Sequence, residues 1–323
     1  MRPFASSSSS SRPAILLLIA SNLLALLPSS SASRLDTQSA ARRAALEERG
    51  EVLGSATSPR RRASTGYNDP TSNGGYMLTI VNGTYPAGLG EPLNVILSAN
   101  SDKDVLVKST DNGGFLNYML STQLGEECLG QHLGSDQEAN LGDGQGNVTE
   151  IEELRWNYGN PYVGTCEETF NGGLHLRYWT QNTTGAYFLA VSVEKDLAAG
   201  HDIVVDGYNV GRDYLVGNLT GTTVPSRNVT NQTTYSGSTT YNNYTYQTDV
   251  QYVSGLLQNT SNGINHYLTV QTSQYPAIDG LVAVLTVKIT SRPKTSSAIA
   301  RFADVPALAL VTPLVLGGIM SLI

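Results

Sequence analysis

The chemistry-bearing side chains are few. The 323 residues include two cysteines and four histidines: His132, His175, His201 and His266. No two histidines stand at i,i+4 and no His-Glu-x-x-His occurs, so a helical zinc site is excluded and the spacing identifies no metal ligands. Gly-x-Ser-x-Gly is missing, which removes the nucleophile elbow. No phosphate-cradling Gly-rich loop lies between a strand and a helix, so no nucleotide cofactor is implied. Basic residues are scarce too: residues 63–291 hold eight Lys or Arg against 22 Asp or Glu, a net charge of about −14. A domain so acidic repels phosphate backbones, which argues against nucleic acid as a partner.

Both ends read as addresses. Arg2 and Arg12 precede an apolar stretch over 14–27 and a small-residue run ending at Ala32. This order predicts a signal peptide over 1–32, since fourteen apolar-rich residues are too few to span ~30 Å of hydrocarbon. Residues 33–62 end on Arg60-Arg61-Arg62 and read as a propeptide or a flexible basic leader. At the other end, residues 305–323 are uncharged and apolar. A linker over 292–304 contains Ser296, Ser297 and Ala298. Small residues, a spacer and an apolar tail match a GPI signal with Ser296 as attachment site, although the spacer is short. A tail anchor and an unprocessed signal are the alternatives. The expectation is a lipid anchor in the outer leaflet, or full secretion.

What lies between suits the outside of a cell. Residues 63–291 are long enough for one substantial core. Cys128 and Cys166 are expected to pair in an oxidising compartment; two free thiols are the alternative. Closing a loop of roughly 40 residues is worth about 4 kcal/mol in the chain-entropy picture. Asn82, Asn147, Asn182, Asn218, Asn228, Asn231, Asn243 and Asn259 each open an Asn-x-Ser/Thr sequon. Asn228 and Asn231 are too close for both to carry a glycan.

Strand-period alternation is expected over 76–81, 93–97, 174–179, 186–193, 246–255, 267–271 and 281–289. The runs at 174–179 and 186–193 flank the Asn182-Thr183-Thr184-Gly185 turn and read as an antiparallel hairpin. Leu281, Ala283, Leu285, Val287 and Ile289 give 281–289 one wholly apolar face, the mark of a central strand. Helical spacing appears over 115–124, stopped by Gly125, and over 209–219. Residues 130–150 read as loop, and 220–247, nearly all Thr, Ser, Asn, Tyr and Gly, as an exposed loop or edge hairpin. The fold class expected is α+β: a predominantly antiparallel sheet with a few short helices on one face. An all-β sandwich is the alternative.

The most site-like constellation is His175 and Arg177, alternating onto one strand face, with His201 and Arg212 able to approach from the next segments. Histidine beside carboxylates can act as acid or base, and arginine can grip an anion. The same residues could equally staple the fold through ion pairs. Asp136, Glu138, Asn140 and Asp143 suggest a calcium loop, but Leu141 and Asn147 occupy the positions where an EF-hand needs Gly and Glu. Glu126-Glu127, Glu152-Glu153 and Glu167-Glu168 are adjacent acids that point apart on any regular element, so they are not glycosidase pairs. Seventeen tyrosines, several within 235–252, could stack on sugars, or simply suit strands.

Four strings carry a resemblance: Glu91-Pro92-Leu93-Asn94-Val95-Ile96-Leu97-Ser98, Glu127-Cys128-Leu129-Gly130-Gln131-His132, Leu154-Arg155-Trp156-Asn157-Tyr158-Gly159, and residues 200–218. Together they resemble a family of secreted basidiomycete fungal proteins of unknown function, over roughly residues 70–290. Residues 92–98, 175–179 and 201–219 are more distantly similar to the LssY C-terminal-type domain. The resemblance implies location and a single fold unit, and supplies no catalytic residues. The leading expectation is a secreted or GPI-anchored cell-surface glycoprotein without catalytic function, a wall or adhesion component that could contact cell-wall polysaccharide. The alternatives are an extracellular hydrolase of wall carbohydrate or lipid, with His175, Arg177 and His201 as its residues, and a carbohydrate-binding module.

Overall fold

Alternating apolar residues build one curled, mostly antiparallel sheet that dominates the fold. The computed structural model describes residues 65–132 and 135–294. The expected signal peptide, the whole leader over 33–62, Ser296 and the apolar tail lie outside the described residues. Ten strands form: β1 (Val95–Leu97), β2 (Leu124–Glu126), β3 (Glu138–Asn140), β4 (Asn147–Thr149), β5 (Glu152–Trp156), β6 (Gly173–Thr180), β7 (Tyr187–Glu194), β8 (Thr234–Tyr241), β9 (Tyr244–Thr260) and β10 (Ile278–Ser291). Eight of them make a sheet in the order β2-β5-β6-β7-β1-β10-β9-β8, and β3 and β4 form a separate hairpin. Every pairing in the large sheet is antiparallel except β1 with β10. The expectation of a sheet-dominated, mostly antiparallel fold with few helices holds.

The helices are α1 (Phe115–Leu120), α2 (Gly164–Asn171), α3 (Gly207–Thr220) and the single turn α4 (Tyr267–Val270). Phe115, Tyr118 and Met119 of α1 and Leu215, Val216 and Leu219 of α3 share a core with Val95, Leu97, Leu176, Tyr178, Ala283, Leu285 and Val287 of the sheet. A second core contains Ile96, Phe188 and Val282, covered by Met77, Leu93, Ala139, Leu141, Ile264 and Ala277. β1 and β10 therefore meet apolar partners on both faces, which is why 281–289 reads so strongly as a central strand.

Four local readings differ. Residues 76–81 make only isolated bridges, Leu78 with Pro92 and Ile80 with Glu138, because the segment divides its backbone hydrogen bonds between 91–93 on one side and 138–140 on the other. The helix after Gly114 ends at Leu120, and Gln123 at φ 65° turns the chain so that Leu124 opens β2. The 130–150 stretch contains β3 and β4, held by Ala139 in the core. Residues 267–271 are helical rather than extended. The hairpin of β6 and β7, the α3 helix and the edge hairpin of β8 and β9 appear where expected. Cys128 and Cys166 form a disulfide.

Candidate functional site

Register places the charged residues. Glu153 of β5 lies opposite Arg177 of β6, Arg155 opposite His175, and His175 opposite Ser192 of β7. Leu154, Leu174, Leu176 and Tyr178 alternate onto the other face and enter the core, so the charges share one face. Glu153 is fully buried and closely contacts both Arg155 and Arg177, while His175 Nε2 stands 3.1 Å from its Oε1. Arg155 Nη1 donates to Glu168 of α2 at 2.8 Å and to Glu194 at 3.3 Å. Arg177 Nη1 donates to Glu150 at 2.6 Å. Glu194 also approaches His175 Nδ1 at 3.7 Å and His201 Nδ1 at 3.6 Å.

The structure therefore brings His175, Arg177 and His201 into one neighbourhood with acids, as the sequence suggested. It seals two of them: His175 is 3% exposed and Arg177 7%, both already held by carboxylates, while the His201 side chain stays 28% exposed. Arg212, expected to approach the same face, does not join them. It is buried in α3 and pairs with Asp213 at 2.7 Å and with Asp279 of β10 at 2.7 and 2.8 Å, with Tyr252 donating to Asp213 at 2.6 Å. Burial alone would push His175 down; Glu194 and Glu153 reverse that and lift it to about 9. Burial alone would push Glu153 up, but His175, Arg177 and Arg155 bring it down to about 2. Both shifts favour the ion-paired state. The adjacent-acid strings conceal part of this network: β5 alternation sends Glu153 into it and Glu152 out the other side.

Glu152 and Glu126 meet on that other side. They border a cavity of about 370 Å³ whose walls include Leu116, Leu120, Leu124 and Leu129. Burial, followed by the hydrogen bond and charge of Glu126, raises Glu152 to about 7, against a downward pull from Lys108. Sequence reasoning missed this pair because the partners belong to different Glu-Glu strings.

The calcium-loop residues scatter. Glu138 lies on β3 and binds Asn147, Asn140 caps Gly142, and Asp143 accepts from Thr183. Only Asp136 comes near other ligand-type groups, at His132. His132 Nδ1 stands 2.8 Å from Glu127 Oε2, and its Nε2 faces Asp136 and Glu150.

The tyrosines of 235–252 do not form an exposed platform. Tyr246 and Tyr252 are buried in the core, and Tyr235 and Tyr244 pack against it, because β8 and β9 alternate. On the opposite face these strands carry apolar residues of the second core toward β1 and mainly polar residues toward the β8 edge. Thr234, Gln251 and Val284 make one row across β8, β9 and β10, and Ser236, Asp249 and Thr286 the next. These rows floor a cavity of about 770 Å³ walled by Thr65, Tyr67 and Asn100. The Tyr67 ring meets Phe188 edge-on at 6.2 Å.

No family model, no curated protein and no solved structure matches this chain. Function must be argued from the geometry.

Proposed function

We propose that the protein is a secreted or GPI-anchored cell-surface glycoprotein, a wall component that holds neutral polysaccharide in the groove over β8, β9 and β10. The fold is read as α+β, with α1 and α3 on one sheet face and the groove on the other. The observation that carries the proposal is the groove itself. Its floor offers hydroxyls, an amide and one carboxylate in two flat cross-strand rows, and Tyr67 stands at its wall. Sugars need such spaced donors and acceptors with an aromatic edge. Display outside the cell is supported by the Cys128–Cys166 disulfide and by seven sequon asparagines on the exposed surface. The acidic surface argues against nucleic acid. The resemblance to secreted basidiomycete proteins agrees with this reading and rests on the quoted residues alone. The test is cosedimentation of the purified protein with insoluble β-glucan and chitin. Binding that is lost in the Asp249→Ala, Gln251→Ala double variant supports the proposal; no retention on either polymer, or equal retention of the variant, refutes it.

A second reading has one observation in its favour. An acid at about 7 beside a second carboxyl in a leucine-walled cavity is a general-acid arrangement. A hydrolase of wall carbohydrate or lipid would then use Glu126 and Glu152 rather than His175, Arg177 and His201, the first two of which are sealed by ion pairs. Its test is hydrolysis of wall extracts that disappears in Glu152→Gln.

A further inference from the structure

We propose that His132, Asp136 and Glu150 form a binding site for one divalent transition-metal ion, zinc being the best fit, with Glu127 holding the imidazole in place. The Nε2 of His132 lies 3.4 Å from Asp136 Oδ1 and 3.6 Å from Glu150 Oε1. Two ligands bound tetrahedrally to one zinc at ~2.0–2.1 Å stand roughly 3.3 Å apart, so these donors already have nearly the separation of a shared coordination shell. Each of the three residues offers a donor atom within 4.8 Å of the other two.

Two further observations favour a ligand there. The first is the orientation of the ring. Nδ1 of His132 is engaged by Glu127 Oε2 at 2.8 Å, which leaves Nε2 to coordinate. Metal-binding histidines nearly always give their other ring N–H to a carboxylate in this way. Glu127 is itself fixed, since it precedes Cys128 and the disulfide to α2. The second is Glu150, whose side chain is 3% exposed. Arg177 takes its Oε1, while Oε2 is buried without a hydrogen-bond partner. A buried carboxylate oxygen with no partner costs about 1–3 kcal/mol or more, and an ion held by the same carboxylate would offset that cost. Glu127, Asp136, Glu150 and Glu153 outnumber His132, Arg155 and Arg177 at this corner, so a dication improves the local charge balance.

The imidazole selects among cations: nitrogen ligands suit zinc and its neighbours, whereas calcium prefers all-oxygen shells. Asp136 is 65% exposed, so an ion can enter from solvent and keep water in its remaining position. His132 and Asp136 stand four residues apart in one loop and Glu150 lies just before β5, a spacing that matches no standard metal motif.

The test is isothermal titration of tag-free, chelator-treated full-length protein with Zn²⁺ and, separately, Ca²⁺, at neutral pH. One Zn²⁺ per chain at micromolar Kd or tighter is expected, with Ca²⁺ at least a hundredfold weaker. His132→Ala should weaken zinc more than a hundredfold and Glu127→Gln by about 10–100-fold, the usual cost of losing an outer-shell partner. His266→Ala should leave it unchanged. Asp136→Asn, at a mostly exposed position, provides a second ligand variant, and circular dichroism of each metal-free variant confirms folding. No zinc binding, calcium binding as tight as zinc, or zinc binding undiminished in the folded His132→Ala and Asp136→Asn variants overturns the proposal.

Discussion

Replacing Glu153 by Gln should be among the most damaging conservative changes in the molecule. The carboxylate is fully buried and touches Arg155, Arg177 and His175, three groups of the opposite sign. Gln keeps the volume and removes the charge, leaving these cations to Glu150, Glu168 and Glu194. Breaking a buried ion network by removing one partner costs ~3–5 kcal/mol, because what remains is buried charge without compensation. Against a total of ~5–15 kcal/mol this is a large fraction. Urea unfolding followed by circular dichroism measures it, with the disulfide intact and the slope compared to confirm an unchanged transition. The pH dependence provides an independent arm. Glu153 is held at about 2 in the folded chain against an ordinary 4.5, so its contribution is present above pH 4.5 and is lost as pH falls toward 2. His175 is held at about 9 against 6.5, so its contribution is complete below pH 6.5 and is lost as pH rises through about 9. The network thus favours a stability plateau between about pH 4.5 and 6.5, and Glu153→Gln should blunt the acid limb. A loss under ~1 kcal/mol with the acid limb intact would refute the idea that this cluster staples the fold.

Other perturbations follow from the same contacts. Gly211→Ala should destabilise by ~1–3 kcal/mol in urea unfolding, since a Cβ there would stand 2.6 Å from the Ser192 backbone where α3 crosses β7. Arg212→Met should cost ~3–5 kcal/mol by leaving Asp213 and Asp279 without their shared cation in the middle of α3, and adding Asp279→Leu should recover part of it. The Cys128→Ser, Cys166→Ser double variant should lose ~2–5 kcal/mol and melt lower in a calorimetric scan, with the groove at the far sheet edge still formed.

How much was legible depended on how far apart the partners are in sequence. The β6–β7 hairpin and α3 follow from local period alone, and both appear within a residue or two of expectation. The apolar face of β10 announced a central strand because both its neighbours are strands of the sheet. His175 and Arg177 were visible as a pair on one face, but not the charged groups around them: Glu153 and Arg155 arrive by register from β5, Glu168 from α2, and Glu150 from the turn before β5. The alternation of 152–156 was the available signal, since it sets Glu153 and Arg155 on the face that meets His175 and Arg177. Arg212 was misplaced because a helix position does not reveal which strand end it will meet. The tyrosines of 235–252 pointed to a sugar platform until alternation put Tyr246 and Tyr252 inside. The floor behind them is mostly Thr, Ser, Gln and Asp, with Val284 among them, residues that in a one-dimensional reading look like surface.

The claim that this polypeptide works outside the cell is tested most directly by glycopeptide mapping of the native protein. The account predicts N-glycans drawn from the exposed Asn82, Asn147, Asn182, Asn243 and Asn259 and from one of Asn228 and Asn231. It predicts none at Asn218, whose Nδ2 is buried. A native chain recovered from the cytosol without any glycan, or one glycosylated at Asn218 in its folded form, would contradict it.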